Sequence, residues 1–399
     1  MSGRRIIPIA VPHQAPGCVL NTQPPPLALY IHFPWCVQKC PYCDFNSHAA
    51  HEGIPEATYL DALIVDLEAT LHQVWGRKVH SVFIGGGTPS LISPEGLDRL
   101  LSGIRMRLPL EPGCEITLEA NPGTVEASHF PAFRAAGITR LSLGIQSFDD
   151  VLLSRIGRIH GRAEALRAAA LAAEHFETFN FDLMYALPGQ SLEAALADIE
   201  MALSFAPPHL SCYHLTIEPN TAFGARPPSA LPNDDEAADI QDAIEQRLAQ
   251  DGFQHSETSA FAQPKHRCRH NLNYWRFGDY LGLGAGAHGK LSTANGVIRE
   301  MRHKHPVAYL DGAKQRSFIQ ERRTVGQDEL AFEFMMNALR LTDGVPAELF
   351  AERTGLALDS VEASLATARR DGLLDTSNGW IRPTLLGQRF LNELLERFL

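Results

Sequence analysis

The chain lacks any run approaching the ~20 uninterrupted apolar residues that a membrane-spanning helix needs. Its opening stretch, MSGRRIIPIAVPHQAPG, has two arginines but no long apolar core and no cleavage pattern, so no secretory leader is expected. A cytoplasmic location follows as the expectation, a compartment in which thiols stay reduced. Basic charge is not in excess either. Against 35 Lys and Arg stand 46 Asp and Glu, a formal net charge of −11 with a pI near 5.9. That balance argues against general attraction to nucleic acid or anionic lipid, so any peripheral membrane contact has to come from a local patch. There is no internal repeat and no low-complexity tract beyond a proline-rich lead-in ending Gln23-Pro24-Pro25-Pro26, expected to be disordered. His13 and Cys18 lie in that lead-in and receive no role.

Cysteine is sparse, seven in 399 residues, and Cys18, Cys114 and Cys212 read as ordinary thiols. The unusual feature is clustering: Cys36, Cys40 and Cys43 fall within WCVQKCPYC, directly after the strand-like LALYIHF. Only a wrapped loop presents three sulfurs so closely spaced to one side. Three thiolates can hold a four-iron cluster by three of its irons, leaving the fourth open. Structural zinc is the alternative, with Asp44, His48 or His32 as fourth ligand, but such sites usually pair two C-x2-C arms and no second arm is present.

A length of 399 residues, 45% of them hydrophobic, suits one large domain plus a smaller one. From residue 28 onward, short β-branched runs alternate with amphipathic stretches. Strands are predicted at 27–33, 80–86, 114–120, 139–145, 179–185 and 210–217. Helices are predicted from Pro55 to Trp75, after the Ser93-Pro94-Glu95 start signal, from Arg162 to Phe176, and from Ser191 to Phe205. Repeated β–α turns imply parallel strands with right-handed crossovers, hence an α/β fold: a TIM-like barrel of six strands rather than eight. Catalytic groups of such barrels lie at the C-terminal strand ends. Each unusual motif falls at one: the cysteine loop, Gly85-Gly86-Gly87-Thr88-Pro89, Glu119-Ala120-Asn121-Pro122, Gln146-Ser147-Phe148, and Asp182 with Tyr185-Ala186-Leu187-Pro188-Gly189.

Singly these motifs are ambiguous. Three glycines offer a ligand close approach to free N–H groups, yet glycine after a strand is equally a turn. A carboxylate at a buried strand end, such as Glu119, must be paired or bind something, and an ion pair with Arg140 or Arg158 is the plain alternative. Gln146 and Asp182 could be caps or core hydrogen-bonders. Five such motifs on one rim point to a site.

The strings CxxxCxxC after YIH, FIGGGTPSL, LEANPGT, LSLGIQSF, GRIH, DLMYALPGQ, HNLNYWRFGDYLGLGAGAHG and FEFMMNALRL carry a resemblance. From about residue 27 to its end the chain resembles the radical S-adenosylmethionine (radical SAM) superfamily. Within it, the chain is similar to the heme-chaperone branch of the oxygen-independent coproporphyrinogen III oxidase-like family. The resemblance implies a partial (β/α)6 core over 27–250, a barrel extension over 251–324 carrying HNxxYW, and a C-terminal domain over 325–399, after the lead-in 1–26. It implies that Cys36, Cys40 and Cys43 ligate a 4Fe-4S cluster. Tyr30, Gly86, Glu119, Gln146, Arg158 and Asp182 would line S-adenosylmethionine, with Thr216 and His288 at its far side. Tyr42, Gly87 and Thr88 match positions of a second S-adenosylmethionine in oxidase relatives. His270, Tyr274 and Trp275 of HNLNYW are the implied heme contacts, the imidazole as axial ligand, with Cys268 a further candidate. The plain alternative there is a turn histidine and two core aromatics. Implied partners are heme and acceptor hemoproteins, membrane respiratory enzymes among them. One departure matters: oxidase members carry another cysteine two residues after the third ligand, where this chain has Phe45. That favours the chaperone branch over oxidative decarboxylation of coproporphyrinogen III.

Beyond Val325 three helices and a hairpin at Asp375–Trp380 resemble a winged helix-turn-helix. Twelve acidic residues against seven arginines and no lysine there argue against DNA binding. The domain is expected instead to form a lid or docking surface over the barrel mouth.

Overall fold

The computed structural model describes residues 24–50, 53–377 and 379–399; His13, Cys18 and most of the expected lead-in lie outside these. The six predicted strands form as β1 (Leu27–Phe33), β2 (Val79–Gly86), β3 (Leu110–Ala120), β4 (Arg140–Gln146), β5 (Thr178–Tyr185) and β6 (His209–His214). Each pairs in parallel with the next. Six more strands follow: β7 (Gln254–Glu257), β8 (Ala260–Ala262), β9 (Asp279–Leu283), β10 (His288–Thr293), β11 (Gly296–Arg302) and β12 (Ile319–Thr324). The sheet order is β12-β11-β10-β9-β1-β2-β3-β4-β5-β6-β8-β7. Because β9 runs parallel to β1 on its free side, the parallel array has seven strands rather than the six expected. The reason is legible in β1 itself, six of whose seven residues are buried, as befits a central rather than an edge strand.

Helices cover the outer face where the sequence signals place them. Ser93 caps Pro94–Arg105 by accepting the Gly96 N–H at 3.0 Å, and Ser191 caps Leu192–Leu203. Between this layer and the sheet lies the main apolar core. Parallel strands usually read as continuous apolar runs, but β4 alternates: Leu141, Leu143 and Ile145 join the core, while Arg140, Ser142, Gly144 and Gln146 line an inner cavity.

The C-terminal residues build a second core around Leu330, Phe334, Met335, Phe350 and Leu365, which also takes in Phe277 and Val297 of the extension. Its helices Gln327–Ala338, Glu348–Thr354 and Glu362–Arg370 are followed by the short Leu385–Arg389 and Leu391–Glu396. The second, expected from Val345 to Thr354, starts at Glu348 because Val345–Pro346 pairs with Trp380–Ile381 as a strand. The lid expectation is corrected: no residue of this unit lines either of the cavities described below. The apolar face of Gln327–Ala338 is instead satisfied by the flank of the extension, where the Arg340 guanidinium also stacks 5.1 Å from the Trp275 ring centre.

The helix Glu56–Thr70 ties β1 to the extension strands beside it. Tyr59 Oη donates to the His32 carbonyl at 2.7 Å and accepts the Ala285 N–H at 2.9 Å. Buried Asp66 accepts from Arg302 Nε at 3.1 Å, Tyr309 Oη at 2.9 Å and the Gly284 N–H at 3.3 Å. Removing one partner of a buried pair strands the other charge. Asp66→Ala should therefore lower unfolding free energy by ~3–5 kcal/mol, read as a shift in urea midpoint; Tyr309→Phe should cost ~1 kcal/mol.

Candidate cofactor site

After β1 the chain doubles back. Trp35–Cys36 pairs in parallel with His48–Ala49, the His48 N–H donating to the Pro34 carbonyl and the Ala50 N–H to that of Cys36. This closes the loop that carries the three thiols. All three are free, half-buried, and line one cavity of about 360 Å³. Burial raises the Cys36 thiol pKa, opposed by hydrogen bonds from Thr88 and Ser47. Arg158 donates to Cys40 Sγ at 3.5 Å, placing positive charge where thiolates would gather. Three accessible thiols, a cation and an adjoining void suit a thiolate-held cluster. The zinc alternative fares worse. His32 is fully committed, Nε2–H to the Asn46 carbonyl at 2.9 Å and Nδ1 accepting from Tyr30 Oη at 2.9 Å. Asp44 and His48 face a neighbouring chamber.

The glycine strip is a clamp more than a cradle. The Gly87 N–H donates to the Phe33 carbonyl and the Thr88 N–H to that of Trp35, each at 2.7 Å, and the Gly86 N–H donates to Glu119 Oε2 at 3.0 Å. The N–H groups expected to be free for a ligand thus hold the start of the cysteine loop on β2. Glycine is required at Gly86, where φ is +116° and an added Cβ would meet the His32 ring at 2.5 Å.

Glu119 pairs with neither Arg140 nor Arg158 among the described residues. Burial, reinforced by the Asp182 carboxylate, pushes its pKa up to about 7, with the Gly86 N–H opposing. Asp182 is likewise held above the usual range by burial, against hydrogen bonds from Asn180 and Ser142. Arg158 reaches past them to Asn121 Oδ1 at 2.9 Å and to the Gly144 carbonyl at 2.8 Å. Gln146 closes β4 with a positive φ of 68°, a strained backbone of the kind found at binding sites.

Of the predicted residues, the three cysteines, Tyr42, Gly86, Gly87, Thr88, Glu119, Gln146, Arg158 and Asp182 all line this cavity. Tyr30, Tyr274 and His288 instead line the side chamber of about 620 Å³, which shares Gly86 and Glu119 with the first. Thr216 lines neither. His270 is 2% exposed, its Nδ1 3.3 Å from Ser81 Oγ, its ring 5.0 Å from both Phe83 and Tyr274. Burial lowers its pKa to about 3, so the imidazole is neutral, and Nε2 has no partner. Trp275 packs toward the C-terminal core, and Cys268 donates to Glu115. Sequence reasoning missed Ser142, Asn180 and Ser211, carried Asn121 and Asn271 only inside longer motifs, and considered Arg140 only as a partner for Glu119. The period-two spacing Arg140, Ser142, Gly144, Gln146 and the pair Asn180, Asp182 were the available signal.

Comparison with known proteins places this geometry. Residues 30–202 match the radical SAM superfamily model, and residues 325–390 match the HemN C-terminal domain. The chain is 49% identical over 377 residues to the heme chaperone HemW of Escherichia coli, covering 94% of this chain and 98% of that one. It is 50% identical to that of Haemophilus influenzae, over 94% and 98% of the two chains, and 34% identical to that of Bacillus subtilis, over 93% and 98%. Among solved structures, the radical SAM enzyme coproporphyrinogen III oxidase (HemN) of Escherichia coli superposes with a TM-score of 0.80 at 23% identity, over 94% of this chain and 90% of that one. That likeness is one of fold.

The raised Glu119 pKa yields a signed prediction. A carboxyl whose folded pKa is about 7, against an ordinary 4.5, contributes stability that is present below pH 4.5 and lost as pH rises through 7. Glu119→Gln should therefore stabilise the cluster-free protein at pH 8, by on the order of 3 kcal/mol, and leave it unchanged near pH 4. Guanidinium unfolding at both pH values checks this; a larger effect at the acidic end contradicts it.

Proposed function

The chain belongs to the heme chaperone HemW family within the radical SAM superfamily, and on that premise we propose that it binds heme and passes it to acceptor hemoproteins. Proteins of this superfamily carry a 4Fe-4S cluster and S-adenosylmethionine, which together supply one-electron chemistry. Here Cys36, Cys40 and Cys43 would hold the cluster. Gly86, Glu119, Gln146, Arg158 and Asp182, with Tyr30 from the side chamber, would hold S-adenosylmethionine; Tyr42, Gly87 and Thr88 would contact a second molecule if one binds. Arg158, which donates to Cys40 Sγ, would keep a positive charge beside the cluster. Glu119 and Asp182 offer acceptors to ammonium or hydroxyl groups, and the surrounding strands exclude bulk water.

Phe45 carries the reading over its oxidase rival. It sits on the cysteine loop 61% exposed and lines both cavities, so the loop offers an apolar ring where an oxidase-type loop has a thiol. For heme, His270 supplies a neutral imidazole with an unused Nε2. Tyr274 faces the side chamber and Trp275 braces the helix Arg269–Trp275 against the C-terminal unit. Iron ligation by His270 requires the Phe83, Tyr30 and Tyr274 rings around it to shift. The proposal includes the division at residues 27, 251 and 325, and a cytoplasmic protein that meets membrane-bound respiratory acceptors peripherally. No described helix is long and apolar enough to cross a membrane.

Anaerobic reconstitution with iron and sulfide, followed by heme titration, should give one heme per chain. His270→Ala should weaken it roughly tenfold or more, ~1.4 kcal/mol or above, and move the Soret band. Full heme affinity in that variant removes the axial assignment. Formation of vinyl-bearing product from coproporphyrinogen III by the same sample would restore the oxidase reading.

A further inference from the structure

The main cavity ends on a charge that the protein leaves unpaired. Arg140, the first residue of β4, is 2% exposed, and its side chain lines the cavity. Among the described residues it forms no ion pair and no hydrogen bond, and its Nε is buried without a partner. Nearby carboxylates are engaged elsewhere. Glu115 accepts the backbone N–H groups of Arg269 and His270, and Asp182 accepts from Ser142 and Asn180. The other polar groups of this floor are tied to one another: Asn180 Nδ2 donates to Ser142 Oγ at 2.8 Å, and Ser211 Oγ donates to Asn180 Oδ1 at 3.0 Å. The uncommitted donor is the guanidinium. Asn271, next to His270 on the same helical turn, enters this cavity as well.

Glu115 and Asp182 offset the burial of this guanidinium through space, but neither gives it a hydrogen bond, so its N–H donors stay unused in a site where such donors are normally satisfied. Its planar fork matches a carboxylate through two parallel N–H bonds. We infer that Arg140 is a carboxylate-binding site at the cavity floor that takes a propionate of the bound heme, an inference that rests on the heme-carrying reading. The carboxylate of an S-adenosylmethionine held at the cysteine rim is poorly placed for it. Arg140 and Gln146 lie at opposite ends of β4, about 20 Å apart at ~3.3 Å per residue. Heme brings propionates of its own, and the turn that supplies His270 also brings Asn271 into the cavity that Arg140 lines.

The test uses the full-length, cluster-reconstituted chain and three probes: ferric heme, its dimethyl ester and S-adenosylmethionine. Arg140→Met should bind heme at least tenfold more weakly and bind S-adenosylmethionine as before. Esterifying the propionates should weaken wild type clearly and the variant little. An equal ester penalty in both proteins overturns the inference. So does a loss of S-adenosylmethionine affinity with heme binding intact, which assigns the carboxylate to that molecule. Should Arg140→Met not fold, Arg140→Lys decides: it keeps the charge without the fork, and unchanged heme affinity there also overturns the site. Wild type that binds heme while the variants match it defeats this inference alone. Wild type that binds no heme defeats the heme-carrying reading and this site with it.

Discussion

From the extension side the cysteine loop is held by a knot of hydrogen bonds on which the site depends. At residues 284–286 the chain turns out of β9, and three side chains from far away in sequence converge there. Tyr59 bridges the His32 carbonyl and the Ala285 N–H. Asn46 donates to the carbonyls of Ala285 and Lys304, and His32 donates to the Asn46 carbonyl. An added Cβ at Gly284 would strike the His32 carbonyl at 2.3 Å, and one at Gly286 would strike Asn46. The loop is thus fixed from the extension side as well as by the β2 glycines. Beneath it, Asp66 and Arg302 couple the same helix to β11 inside the core. A displaced extension would release the loop even with β1 and β2 intact.

The inner face of the sheet shows how one strand can serve two masters. Residues of one parity in β4 and β5 fill the apolar layer under the helices. Those of the other parity turn polar groups into the cavity. Desolvation there is severe: Glu119 and Asp182 are both held above their ordinary pKa by burial. Two carboxyls and two guanidiniums share the space without forming an ion pair among the described residues. Charges kept apart in this way are held for something else.

How much of this was readable beforehand divides along the distance between partners. Strands β1 to β6, the Ser93 and Ser191 caps and the rim motifs depend on neighbours in sequence, and local patterns carry them. Strand β9 escaped because its pairing with β1 spans more than two hundred residues, and nothing local in DYLGL distinguishes parallel addition from a hairpin. The glycine strip was legible as a close approach but not as to what approaches, since Phe33 and Trp35 compete with a ligand for the same N–H groups. His270 was legible as a residue type. Its burial between Phe83 and Tyr274 follows from packing of a helix onto β2 that no local pattern encodes. Arg140 carried a period-two signal, yet a lone arginine in a strand reads first as an ion-pair partner.

Among the described residues, some of the buried polar atoms left without hydrogen-bond partners lie in or near this cavity. Thr117 Oγ1, Arg140 Nε, Arg158 Nε and His270 Nε2 are all buried and unpaired. Each such group subtracts from the stability of the empty fold, by about 1–3 kcal/mol where nothing compensates. A ligand that satisfies several of them at once therefore gains more than its own contacts, because binding to the folded state alone also raises stability by mass action. For a protein whose task is to take up a cofactor and release it, that linkage has a direction. On the heme-carrying proposal, the loaded chain would be the more rigid one, and an acceptor would have to compete against the relief of these buried groups. Release then requires loosening the elements that bury them, foremost the helix Arg269–Trp275, which carries His270 and Asn271 and packs against both β2 and the C-terminal unit. The C-terminal unit, absent from the cavity walls, is nonetheless positioned to act on it through that helix.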